Sequence, residues 1–226
     1  MNREYISLLT GLLLLALNVQ ANPVDSGKID LRNWQAGNKE LISLQGKWDF
    51  YWKAFVDPAN PPEASANCYV PNSWNNKVQQ EPFKALGYAS YRLRILLPEK
   101  KQDIALYMHE FSSAYRAYAN GEEIGHMGTP GKSRKEAKPA FGSNTLYLPN
   151  ASDTLDVVFH VSNYRRDKAG FWGDVKLGAA RKVQETKLKT TLFEMFLFAS
   201  ILIIGLYHLL MFINRQRDYS ALFFGL

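Results

Sequence analysis

Between Asn163 and Trp172 the chain reads NYRRDKAGFW, which sets two guanidinium groups, a carboxamide and three aromatic rings within ten residues. Such an inventory suits a small polar ligand. Aromatic faces hold the apolar side of a sugar while a few directional donors fix its polar groups, and two arginines can grip a carboxylate or phosphate bidentately. Asn163, Tyr164, Arg165, Arg166, Phe171 and Trp172 are therefore the candidate ligand-binding residues, and Trp74 of the stretch VPNSWN joins them from a second loop. Gly170 and Gly173 bracket the aromatic pair and let the backbone bend. Packing competes with binding at each ring: the loop aromatics can fill the edge of the fold or rest on a neighbouring helix, and Trp74, like Trp48 and Trp52, can plug the core.

Other chemistries fit less well. GHMGTPGKS approaches a phosphate-binding loop, but five residues separate Gly125 from Gly131 where the motif needs four, and RKEAKPAFG follows in place of an apolar helix. Glycoside cleavage calls for two carboxylates facing one sugar, whereas Asp49, Glu110, Glu122 and Glu123 are scattered along the chain. His109, His126 and His160 lack metal-ligand spacing, so neither a metal nor another cofactor is expected. Cys68 is the single cysteine and excludes an intrachain disulfide. The net charge of +6 would raise nucleic acid as a partner in a cytosolic chain, a reading that export removes. Part of the excess is local, at Lys132, Arg134, Lys135 and Lys138 and again at Arg181, Lys182, Lys187 and Lys189, where a solvated face or attraction to acidic headgroups accounts for it.

The elements that must position these groups read as strands. Trp48, Phe50 and Trp52 alternate with Asp49, Tyr51 and Lys53; Tyr91, Leu93, Ile95 and Leu97 alternate with Arg92 and Arg94; Leu155, Val157, Phe159 and Val161 repeat the period of two. Asn120-Gly121 can both take positive φ and predict a tight hairpin. Short strands between Pro- and Gly-rich clusters predict an all-β sandwich.

The two ends point to a membrane. Arg3, the apolar stretch Ile6 to Leu17 and Val19-Gln20-Ala21 form the pattern of a secretory signal peptide over residues 1–21. Residues 22–43 are a lead-in, 44–178 the β domain and 179–191 a juxtamembrane linker. Leu192 to Ile213 is apolar and about 33 Å long as a helix, enough to span a bilayer. A polar turn at 214–218 and a second apolar run at 219–226 then read as the start of a helical hairpin within a longer protein. Glu194, Gly205 and His208 share one stripe of the first span, which calls for protein or water on that side.

Five blocks, LQGKWDFYW, VPNSWN, GYASYRLRILLP, IALYMHEFSSAYRAYANGEEIG and LDVVFHVSNY, resemble in order the jelly-roll domain that opens β-galactosidases and β-glucuronidases, over roughly Leu44 to Tyr164. VSNYRRDKAGFWGDVKLG followed by a membrane helix is similar to the bacterial seven-transmembrane receptors with diverse intracellular signalling modules. That resemblance implies a periplasmic, galactose-binding-like jelly roll on the inner membrane, seven spans, and a cytoplasmic diguanylate cyclase or histidine kinase beyond residue 226. The catalytic carboxylates of the glycosidases belong to a separate barrel, so no catalytic residue carries over. The expectation is a non-enzymatic ligand sensor whose partners are a small polar ligand, carbohydrate or anionic, the lipid around the span, and a second copy of the full receptor. Its rivals are a membrane-tethered glycan-binding module or hydrolase fragment and a periplasmic protein-docking domain.

Four basic residues precede the span and two, Arg215 and Arg217, follow it, against the positive-inside tendency. Export by the signal peptide should override this count, because long domains translocate largely regardless of loop charge. Alkaline phosphatase fused after Thr190 is expected to be active and fused after Arg217 inactive; the reverse pattern would place the β domain in the cytoplasm.

Overall fold

The computed structural model describes residues 24–35, 41–64, 66–76, 83–111, 113–151 and 153–214. The expected signal peptide, the second apolar run and all of the polar turn except Asn214 lie outside the described residues.

Two sheets enclose one core. The larger has the order β4 (Ala66–Val70), β3 (Gly46–Trp52), β5 (Gly87–Leu96), β10 (Thr154–Asn163), β7 (Ala114–Ala119), β8 (Glu122–Met127), and β1 (Lys28–Asp30) pairs in parallel with the far end of β5. The smaller has the order β2 (Ile42–Ser43), β11 (Val175–Ala179), β6 (Gln102–Phe111), β9 (Gly142–Ala151). The alternation read from the sequence is the reason for the sandwich. Trp48, Phe50, Tyr91, Leu93, Ile95, Val157, Phe159 and Val161 point inward from the larger sheet and meet Ile104, Leu106, Leu146, Val175 and Leu177 from the smaller. Each such side chain contributes about 1.5–3 kcal/mol by leaving water. On the outer face Arg92 forms a two-pronged bond to Asp156 at 2.8 and 2.6 Å, and Arg94 adds a third contact at 3.2 Å.

Tyr51, which alternation places outward, is nevertheless buried. The chain after β3 straps back over the outer face of the sheet, so that Tyr51, Val56 and Val158 form a second small core. Tyr51 donates to the Pro62 carbonyl (2.7 Å), and the Ser90 hydroxyl accepts from the Val56 amide (3.1 Å) while donating to the Ala54 carbonyl (2.8 Å). His160 donates from Nε2 to the Val56 carbonyl (2.8 Å) and stacks on Phe55.

The outer face of the smaller sheet is covered by helix α1 (Ala180–Asn214), where Val183 packs on Ala105 and Tyr107. No separate linker intervenes. Residues 180–191 are helical and continuous with the apolar segment, giving about 18 Å of helix before Leu192. A Cβ at Gly178 would stand 2.4 Å from the tip of the Leu41 side chain and 3.6 Å from Val183, so Gly178 leaves Leu41 its place beside the helix. From Val183 the helix runs toward the end where β6 finishes and β9 begins, since its next turns meet Tyr107, Phe141, Gly142 and Ser143. Its remainder is exposed, and it is one helix, among the described residues, long and apolar enough to cross a membrane.

The Asn120-Gly121 hairpin joins β7 and β8 as expected, with φ of 48° and 90°. Asn120 is also tied to Asp156 twice: its amide donates to the Asp156 carbonyl and its side-chain oxygen accepts from the Asp156 amide, each at 2.8 Å. A Cβ at Gly121 would stand 3.1 Å from the Ala59 Cβ, so Gly121→Val meets strain and crowding together. It should cost about 1–3 kcal/mol, read as a lower midpoint in tryptophan-monitored thermal unfolding of the full chain in detergent; an unchanged midpoint would remove the turn's structural importance. Burial, opposed by the bond to Val56, lowers the pKa of His160. The unfolded chain therefore takes up a proton near pH 6.5 before the folded one does. This group's stability is complete above that pH and is lost as pH falls toward the folded value. His160→Phe, which keeps the stack on Phe55, should flatten the fall in midpoint between pH 7 and 5; an identical slope would assign the fall to other groups.

Candidate functional site

The loop after β10 is fixed at both ends. At its start Asn163, only 2% exposed, uses its whole carboxamide: Nδ2 donates to the Ala85 carbonyl (3.0 Å) and the Arg166 carbonyl (2.6 Å), and Oδ1 accepts from the Arg166 amide (3.1 Å). The chain is bent outward as a result, and Arg165 and Arg166 are exposed. Further along, the loop is sewn to the VPNSWN segment. The Ser73 hydroxyl accepts from the Ala169 amide and donates to its carbonyl, both at 2.8 Å, and the Asn72 amide donates to the Phe171 carbonyl at 2.6 Å. Gly170 has φ of +96°, and a Cβ there would lie 2.3 Å from the Tyr91 hydroxyl, so no other residue fits without movement.

These contacts divide the candidates. Phe171 is 1% exposed, with its ring against Trp48, Tyr91, Phe111 and Phe159, and it closes the mouth between the two sheets. Trp74 is fully buried on Phe50, Trp52 and Tyr91, and its indole donates to the Lys84 carbonyl at 3.0 Å. Neither ring is open to a ligand. The reason is hydrophobic: both rings belong to the core shared by the two sheets, and the two loops carry them into it. Asn163 is likewise committed to shaping the backbone. Trp172 is half-buried and lines a shallow depression of about 280 Å³ with Pro71, Asn75 and Lys168, separate from the arginines. Tyr164, Arg165 and Arg166 remain together.

They form one wall of a cleft of about 450 Å³. Ser113 and Ser162, at the start of β7 and the end of β10, make its floor; the segment after β8 supplies the other wall through Arg134, Pro139, Ala140 and Phe141. That segment is an ordered loop. Thr129 and Lys138 exchange backbone hydrogen bonds at 2.8 and 2.9 Å, and Gly128, at φ of +64°, would place a Cβ 2.3 Å from the Lys138 carbonyl. The Gly131 amide donates to the Ser162 hydroxyl (3.2 Å), the Ala140 amide to the Ser113 carbonyl (3.0 Å), and Tyr164 to the Lys132 carbonyl. The resemblance of GHMGTPGKS to a phosphate loop thus has a structural cause: its glycines close this loop, and the Lys132 amide is taken by the Glu136 carboxylate at 2.9 Å.

The cleft carries Arg134, Arg165 and Arg166 and, among the described residues, no carboxylate in its lining. Among the described residues none of these guanidinium groups is ion-paired within the chain. Burial raises the Tyr164 pKa and keeps the phenol protonated. Three cations around a neutral floor have the charge and donors that suit an anion, and among the described residues the lining offers no general base or nucleophile pair. Spacing alone did not reveal Arg134 or Phe141, which reach the site from another loop. Their one local signal was the basic run at 132–138 with a single phenylalanine after it. Of the histidines, His126 is exposed and bonded to Glu123 at 3.1 Å, and His160 belongs to the strap.

No family model matches the chain, and no curated protein does. Among solved structures, the chain is similar to the β-glucuronidase of an uncultured Clostridium species, at 18% identity over 69% of this chain and 30% of that one, with a TM-score of 0.49. A β-glucuronidase of Faecalibacterium prausnitzii gives 18% identity over 61% of this chain and 31% of the enzyme, with a TM-score of 0.48. A β-galacturonidase of Eisenbergiella tayi bound to galacturonate gives 16% over 62% and 24%, with a TM-score of 0.45. The chain spans less than a third of the length of each of these enzymes.

Proposed function

We propose that this chain is the ligand-binding, extracytoplasmic part of a multi-span signalling receptor of the bacterial inner membrane. In this reading its β domain is a periplasmic jelly roll, and the output module, a diguanylate cyclase or histidine kinase, lies in the cytoplasm. The ligand is a small polar anion, with an acidic sugar as the chemistry that suits the site. The observation that carries this reading is the cleft that Arg134, Arg165 and Arg166 line together, with no carboxylate among the described lining residues. The same lining favours binding over glycoside cleavage, which needs a pair of carboxylates across the sugar. Signal transfer finds support in α1, which runs without a break from the smaller sheet into the apolar segment. A ligand shifts such a unit only by its difference in affinity between two arrangements.

The test compares glucuronate with glucose on the full chain in detergent, by thermal shift and by equilibrium titration. Glucuronate should raise the unfolding midpoint and glucose should not. Arg165→Gln combined with Arg166→Gln should leave the unliganded midpoint nearly unchanged, because exposed, unpaired arginines contribute little to stability. The same variant should weaken glucuronate binding by about tenfold or more, each charge-assisted bond being worth roughly 1.5–3 kcal/mol. Full affinity in the double variant would move the site away from this cleft, with the depression at Trp172 next to be examined.

A further inference from the structure

Phe141 is 68% exposed, belongs to no core cluster, and stands between two cavities. On one side it lines the arginine cleft. On the other it lines a crevice of about 200 Å³ between the smaller sheet and α1, where Tyr107, Gly142 and Ser143 face Lys187, Thr190, Thr191 and Glu194. Among the described residues no other lines both cavities. Its backbone has little freedom. Ala140 before it is bonded to the Ser113 carbonyl, and Gly142 after it is paired with Phe111 at a φ of +155° that favours glycine. What can move is the ring, which turns about two side-chain torsions and finds open space on either side.

We propose that Phe141 is the residue through which α1 senses the arginine cleft, and that the ligand able to use it is an anion with an apolar face, such as a sugar acid. The inference rests on the reading of the cleft as an anion site. Arginines hold the charged end, and the apolar face of the ligand draws the phenyl ring toward the cleft, as aromatic platforms do for sugars. Withdrawal of the ring opens the crevice, and the turn from Lys187 to Glu194 loses a neighbour just where the apolar segment begins at Leu192. A bare anion such as inorganic phosphate satisfies the arginines but offers nothing to the ring. It therefore binds without altering α1. Coupling of this kind is reciprocal: a change made in the crevice must alter affinity in the cleft by the same factor.

The experiment uses the full chain in lipid nanodiscs, with glucuronate and inorganic phosphate as probes and amide hydrogen exchange over residues 185–194 as the readout. Glucuronate should change exchange there by about threefold or more, and phosphate, at concentrations that compete with glucuronate, should not. Phe141→Ala should retain glucuronate binding through the arginines and lose the response of α1. Thr191→Trp, which fills the crevice from the helix and lies outside the cleft, should shift glucuronate affinity by about threefold or more. The proposal is overturned if Phe141→Ala keeps the helix response, if phosphate produces the same response as glucuronate, or if Thr191→Trp binds like the parent. Glucuronate binding with a silent helix sinks the coupling alone, whereas no binding of either probe sinks the cleft reading with it.

Discussion

The burial of Phe171 between the two sheets is the contact on which the cleft-bearing end of the domain depends. A phenyl ring leaving water contributes about 1.5–3 kcal/mol, and here that gain holds in place a backbone that would not otherwise close. Gly170 must turn left-handed beneath the Tyr91 hydroxyl for the ring to enter. Once it has entered, Ala169 is drawn against Ser73 and the two crossing loops become one unit. With Asn163 fixing the other end, the stretch between has no inward path, and Arg165 and Arg166 are displayed to solvent. The arginines owe their availability to an aromatic residue that no ligand reaches.

How far the sequence foretold this varies by element. Period-two alternation identified the inward faces of β3, β5 and β10 because each of those strands has one face on the shared core. The Asn120-Gly121 hairpin was legible because few residue pairs accept two positive φ values. Tyr51 was misplaced because a strand's own alternation says nothing of a strap that returns over its outer face. Phe171 and Trp172 are adjacent in an aperiodic loop, and only the fold decides that one is core and the other lines a surface depression. Arg134 and Phe141 reach the cleft through the antiparallel pairing of β7 with β10 and the bonds from Gly131 and Ala140, long-range contacts that spacing cannot express. The helical start of α1 was hidden too. Residues 180–191 carry Thr and Lys with little apolar periodicity, and Val183 is their one buried side chain on the sheet.

That helical start also places the basic residues that precede the apolar segment. Arg181 and Lys182 lie within 3.5 and 3.7 Å of the Glu185 carboxylate, and Lys187 lines the crevice beside the smaller sheet. These residues belong to the surface of a helix docked on the β domain. On the proposed reading, in which the domain is exported, they travel as part of a folded unit, for which loop charge is a weak determinant.

An unbroken helix carries direction as well as length. At 100° per residue, Glu194, Gly205 and His208 fall within about 40° of Val183 around the axis, and Val183 is the residue pressed against the sheet. The polar flank of the apolar segment therefore faces the same side as the β domain above it. On the proposed reading, in which this segment crosses a membrane among other spans, the protein groups or water that the flank requires stand on the side of the domain, and lipid on the side turned away. The azimuth of that flank relative to the sandwich is thus set where Val183 is seated on the smaller sheet.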